Sequence, residues 1–147
     1  MGKAKLPWVG WVALPVYRIG SHRRITAATF TPVAEAQGIR LDLERPEQLP
    51  AVSVDPGRIA QVLHNLLSNA LHHSPAGGVV TLSAEADGAE VVLAARDTGE
   101  GIAAEDLPHV FDRFYHADRS RSHQRGGVGL GLAIARSLVV AHGGSLT

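Results

Sequence analysis

The sequence of 147 residues has no cysteine. That excludes disulfides, thiolate nucleophiles and cysteine-ligated zinc. It has no surplus of either charge, since 14 Lys and Arg stand against 14 Asp and Glu. No global field therefore directs it to nucleic acid or to an anionic membrane. It has no long apolar run either. Leu6 to Val16 is interrupted by Pro7 and Pro15 and falls short of the roughly 20 residues that a span needs. Lys3 and Lys5 ahead of it give a loose likeness to a signal peptide, but no small-x-small cleavage site follows. Met1-Gly2 lacks the hydroxyl residue at position 6 that myristoylation prefers. Residues 1–24 are therefore expected to be a poorly ordered or self-packing N-terminal segment, outside the domain formed by 25–147. Trp8 and Trp11 as a partner surface is the less favoured reading. There are no internal repeats and no low-complexity segment. With 45% hydrophobic and 19% charged residues, the composition is that of one globular domain. A cytoplasmic location is the matching expectation.

What is present begins with glycine. Gly126, Gly127, Gly129 and Gly131 stand directly before an amphipathic segment that starts near Leu130 and runs to Gly143-Gly144. Glycine lets a ligand approach the main chain closely. A helix start offers unpaired N–H groups and a positive dipole end. Together they suit a phosphate. A P-loop needs Lys-Ser or Lys-Thr after its last glycine, and Leu132-Ala133 follows here. A dinucleotide fingerprint needs a glycine where Leu132 stands.

Upstream, Ile25, Ala28, Phe30, Val33 and Ala36 suggest a helix within 21–37 that Gly38 ends. Ile39, Leu41 and Leu43 alternate with polar residues as a half-buried strand, and Val52 to Val54 reads as a short strand. The clearest helix follows. Asp55 is its N-cap and Pro56 its first residue. Ile59, Val62, Leu63, Leu66, Leu67 and Leu71 form its buried stripe. Gln61, Asn65, Asn69 and His72 form a second, polar stripe. Taken alone, that stripe is most simply a solvated face. Val79 to Ala86 and Ala89 to Arg96 read as strands joined by an Asp87-Gly88 turn, the second apolar enough to be central. It runs into Asp97-Thr98-Gly99-Glu100-Gly101-Ile102, which places a carboxylate beside exposed backbone. Phe111 to Tyr115 gathers three of the seven aromatics. A polar stretch from His116 to Arg125 follows, and its arginines could meet phosphate.

Four motifs thus stand in one order: Asn65-x-x-x-Asn69, Asp97-x-Gly99-x-Gly101, Phe111-x-x-Phe114-Tyr115 and Gly127-x-Gly129-x-Gly131. This resembles the ATP-binding catalytic domain of sensor histidine kinases, in the wider Bergerat-fold group, over about residues 25–147. The resemblance implies an α+β fold. It is a two-layer α/β sandwich with a mixed sheet covered on one face by helices, and here with a shortened C-terminal hairpin. It implies ATP and Mg2+, with Asn65 and Asn69 as the catalytic pair and Asn69 as the metal ligand. It further implies that Asp97 accepts from the adenine amino group and that Gly99, Gly101 and Ile102 let the chain pass the base. Phe111 and Phe114 anchor a lid, Phe114 also facing the nucleotide. Arg125, Gly127, Val128, Gly129, Leu130, Gly131 and Leu132 wrap the phosphates. His72 stands where the family usually has Lys or Arg, and His73 near the base. Val128 replaces a small hydroxyl residue, which weakens the phosphate contacts.

The chemistry implied is phosphoryl transfer from ATP to a histidine. Such an acceptor needs little general base, which fits Asn rather than Glu at position 65. Ser21-His22-Arg23-Arg24 does not match the family's acceptor motif. The expectation is therefore transfer to a separate dimerisation and phosphoacceptor protein, and through it to a response regulator. No nucleic acid and no membrane span is expected. Two other readings stay open: a degenerate nucleotide-binding or interaction module, and an anti-sigma-type serine kinase, against which the Phe111 to Tyr115 box argues.

Overall fold

The computed structural model describes residues 5–6, 9–15, 31–115 and 130–147. In chain order the elements are β1 (Lys5–Leu6), β2 (Val9–Pro15), α1 (Thr31–Ala36), β3 (Arg40–Glu44), α2 (Pro56–His73), β4 (Val79–Asp87), β5 (Glu90–Asp97), β6 (Ile102–Ala103), a 3-10 turn (Leu107–His109), α3 (Gly131–Ala141) and β7 (Ser145–Leu146). Five strands form one sheet in the order β3-β4-β5-β2-β7, and β1 pairs separately with β6. Only β3 and β4 run parallel; the other pairs are antiparallel. The sheet is mixed and the fold α+β, as the resemblance implied.

Alternation decides which face is covered. Val12, Leu14, Val80, Val91, Ala95 and Leu146 are buried. Intervening residues such as Trp11, Glu85 and Arg96 are exposed. The helices lie on the apolar face. Ile59, Val62 and Leu66 of α2 and Ala135 and Val139 of α3 close one core over Val12, Leu14 and Ala95. A second cluster joins Ala34, Ile39, Leu67, Ala70, Leu71 and Val80 at the β3 side. Full burial of one such aliphatic side chain contributes roughly 1.5–3 kcal/mol.

Several sequence expectations shift. The helix within 21–37 spans Thr31–Ala36. Positions 21–30 lie outside the described residues. Val52 makes only an isolated bridge, so 52–54 is not a strand. Asp87 pairs with Glu90, so the turn residues are Gly88 and Ala89. Gly88 takes the positive φ of 58° that such a turn requires.

The N-terminal segment departs most. Residues 9–15 were expected to lie outside the domain, yet β2 sits inside the sheet between β5 and β7. Val12 and Leu14 point to the core. Residues 9–15 read Val-Gly-Trp-Val-Ala-Leu-Pro, with no apolar–polar alternation to mark a strand. Pro15 is tolerated because it ends the strand. β7, after Gly144, is the last strand of the sheet order and pairs with β2. Trp11 and Thr147 exchange two main-chain hydrogen bonds, 2.9 and 3.0 Å. β7 therefore has β2 as its neighbour.

Candidate nucleotide site

The site is built from the ends of α2, α3 and β5. α2 starts cleanly because Asp55 Oδ1 accepts from the N–H groups of Gly57 (2.9 Å) and Arg58 (3.1 Å). Its apolar stripe is then committed to the core. That places Asn65 and Asn69 along the flank, both half-buried. Asn65 Nδ2 donates to the Gly131 carbonyl at 3.0 Å. Its amide therefore binds the first turn of α3, a role the motif spacing gave no sign of. Gly131 is close enough that an added β-carbon would touch Asn65 Cβ at 3.9 Å. Among the described residues no protein hydrogen bond is recorded for the Asn69 amide, one turn further on.

β5 delivers the carboxylate. It is paired on both sides, with β4 and β2, and ends at Asp97 opposite Val80. Thr98 fixes that end: its N–H donates to Val79 O (3.1 Å) and its Oγ1 accepts from Val79 N–H (2.9 Å). Asp97 is 7% exposed, the one buried charged side chain among the described residues. Its Oδ1 accepts from Gly99 N–H at 2.8 Å. Burial raises its pKa above the ordinary carboxylate value, while the Gly99 bond and His73 pull it partway back. That is the one hydrogen bond to its carboxylate seen among the described residues. Position 99 admits only glycine, since a β-carbon there would lie 2.3 Å from the His73 carbonyl oxygen. Gly101 has φ 72°. Ile102 follows in β6, opposite Leu6.

His72 and His73 end α2, exposed, with rings edge-on at 5.1 Å. His73 Nδ1 is 3.8 Å from Glu100 Oε1. His73 also acts electrostatically on Asp97. The phenylalanine box divides. Phe111 packs against the core and carries the Arg136 guanidinium 5.2 Å above its ring. Phe114 is 70% exposed with φ 61°. Phe111 is thus packed and Phe114 is not. A bulky residue in that backbone region is strained by order 1–3 kcal/mol. Three contacts hold the turn around it: Tyr115 OH donates to Asp106, His109 Nδ1 meets Asp112 Oδ2 at 2.9 Å, and the His109 and Tyr115 rings lie 5.4 Å apart.

Of the glycine run, Leu130 and Gly131 open α3 and Leu132 packs toward the core. Arg125, Gly127, Val128 and Gly129, with the rest of the expected lid, lie outside the described residues. The structure thus brings Asn65 of α2 against Gly131 of α3, and His73 at the end of α2 against Asp97 and Gly99 after β5, with Asn69 between the two on α2.

Comparison with known proteins agrees with this geometry. The family described as histidine kinase-, DNA gyrase B-, and HSP90-like ATPase matches residues 54–147. Sensor histidine kinase WalK of Bacillus subtilis is 48% identical over 97 residues, covering 65% of this chain and 16% of that protein. Sensor protein VanS of Enterococcus faecium is 38% identical over 117 residues, covering 80% of this chain and 30% of that protein. The chain thus spans less than a third of either relative. Among solved structures, the catalytic domain of histidine kinase ThkA superposes with a TM-score of 0.66 at 26% identity, covering 78% of this chain and 72% of that one. Full-length ShkA in complex with AMPPNP gives 0.66 at 34% identity, covering 79% of this chain and 23% of that one. The chain belongs to the histidine kinase-, DNA gyrase B-, and HSP90-like ATPase family, as an ATP-binding catalytic domain of the sensor histidine kinase type.

Proposed function

We propose that this domain binds ATP with Mg2+ and passes the γ-phosphoryl group to a histidine on a separate dimerisation and phosphoacceptor protein, which in turn serves a response regulator. The carrying observation is the buried Asp97, whose carboxylate has one hydrogen bond among the described residues, from Gly99 N–H to Oδ1. Adenine offers an N–H2 donor there; guanine would leave the carboxylate unpaired.

The donor set fits magnesium. The half-buried Asn69 offers a hard amide oxygen, and magnesium typically takes one or two protein ligands with substrate phosphates and water. When bound, the ion neutralises charge on the phosphates. The chain's own part is positioning. Asp97 and the Gly99 to Gly101 backbone hold the base, Asn65 fixes the first turn of α3, and His73 acts electrostatically on Asp97. Arg125, Gly127, Val128 and Gly129 are assigned to the phosphates by resemblance. Catalysis of this kind is mostly orientation and charge stabilisation.

The partner reading has support on the surface. Phe114, Ile134 and Val140 are exposed apolar residues, and Arg113 and Arg136 line the same groove as Phe111 and Val140. Such a face suits an acidic, amphipathic helix of the phosphoacceptor protein. Among the described residues no helix is long and apolar enough to cross a membrane.

The test mixes the protein with γ-labelled ATP and Mg2+, alone and with histidine-containing dimerisation proteins. Label on the added protein, dependent on Asn69 and Asp97, is expected. Label confined to this chain, and lost in His22→Ala, refutes transfer to a separate protein.

A further inference from the structure

His142 lies at the far end of α3 from the site, yet its bonds specify its chemical state. Its Nδ1 is 2.7 Å from the Leu138 carbonyl oxygen. Its Nε2 is 3.1 Å from the main-chain nitrogen of Asp55, the N-cap of α2. A carbonyl only accepts, so Nδ1 must carry the proton. An amide N–H only donates, so Nε2 must present its lone pair. The two partners together admit one form, the neutral Nδ1–H tautomer. An imidazolium would set N–H against N–H at the α2 cap.

We infer that His142 is a positioning residue for the nucleotide site: it sets where α3 lies along α2, and so where Gly131 meets Asn65. α2 and α3 are tied by side-chain hydrogen bonds at both ends of the contact, Asn65 to Gly131 at one and His142 to Asp55 at the other. Between them α3 offers Ala135 and Val139, flanked by the partly buried Leu132 and Leu138, to Ile59, Val62 and Leu66. Polar contacts that flank an apolar seam specify its register. α3 is an eleven-residue rod, so a displacement at His142 is carried to Gly131 largely undamped. The turn that follows is equally constrained, because a β-carbon at Gly144 would lie 2.2 Å from Ala13 O.

The Asp55 carboxylate is engaged by Gly57 and Arg58 amides, Arg136 lies over Phe111, and Ser145 and Leu146 of β7 carry no charge. The inference deepens the ATP-site reading and rests on it only for the binding readout.

The experiment uses the whole chain, labelled with 15N and 13C. Near pH 7.5, long-range 1H–15N spectra are expected to show His142 as the Nδ1–H tautomer. In nucleotide-free protein, His142→Ala is expected to shift the Asn65 side-chain amide and the Gly131 resonances, and His142→Gln, which restores an acceptor for Asp55, to shift them less. With Mg2+ and ATP, His142→Ala is expected to weaken binding about fivefold, the worth of one neutral hydrogen bond. His142→Gln should stay within about twofold. An Nε2–H or imidazolium signature, or unmoved Asn65 and Gly131 resonances in His142→Ala, overturns the inference. If His142→Ala does not fold, the wild-type tautomer and the Gln variant decide. Absence of ATP binding by wild-type protein would count against the proposed function instead.

Discussion

Replacing Asp97 by asparagine should move two measurements in opposite directions. Asparagine matches the volume and keeps an oxygen for Gly99 N–H, now at 2.8 Å. It loses the second carboxylate oxygen and sets a donor where the adenine amino group also donates. The lost bond is to a charged acceptor, about 1.5–3 kcal/mol, so ATP affinity should fall about 10- to 150-fold. Stability should rise. Burial raises the folded-state pKa of Asp97 above 3.8. Its favourable contribution to folding is therefore complete only below that ordinary value and is lost as pH rises through the folded one. At neutral pH the ionised carboxylate is a cost that asparagine removes. Urea unfolding of nucleotide-free protein between about pH 4.5 and pH 7.5 should show Asp97→Asn more stable than wild type, with the gap closing toward acid. Affinity should be followed by calorimetry with Mg2+ and ATP. Unchanged affinity refutes the adenine contact. A stability gap that widens toward acid refutes the burial argument.

Asn69→Ala should remove most of the magnesium dependence of ATP binding while leaving metal-free binding little changed, as a titration at several Mg2+ concentrations would reveal. Leu66→Ala empties a site that is 1% exposed, on the face of α2 packed into the core with α3, and should cost roughly 2–5 kcal/mol by urea midpoint. Gly144→Ala would drive a β-carbon to 2.2 Å from a main-chain oxygen. It should destabilise by about 1–3 kcal/mol and speed hydrogen exchange at Trp11 and Thr147; unaltered exchange there would argue against the tight β2–β7 contact.

The legible parts of this chain were those where a local rule and the global fold agree. α2 announced itself through Asp55, Pro56 and six apolar positions, and the structure places it at Pro56–His73. β5 was readable as central because both of its faces are apolar. Of the residues in the four motifs, Asn65 meets Gly131 and Asp97 meets Gly99. Other features depend on partners that sequence does not display. β2 looked like loose chain because its neighbours, β5 and β7, begin about 75 and 130 residues later. Phe111 and Phe114 were indistinguishable as letters, and only backbone geometry separates the packed ring from the exposed one. Asn65 as a donor to Gly131, and His142 as an acceptor for Asp55, are pairings between α2 and α3 that no spacing encodes.

The place of β2 also bears on how the chain folds. α2, β4 and β5 are consecutive and can pack as soon as residues 56–97 are available. β2 must be drawn in from a remote part of the chain to lie along β5, and its other edge waits for residues 145–147. Contacts of such long sequence separation cost loop-closure entropy before they return stability. The expected order is an α2–β4–β5 nucleus first and insertion of β2 late. Until then β5 presents an open, apolar edge, the kind of surface on which chains aggregate. The strand that completes the sheet is in this sense also the guard of its folding intermediate.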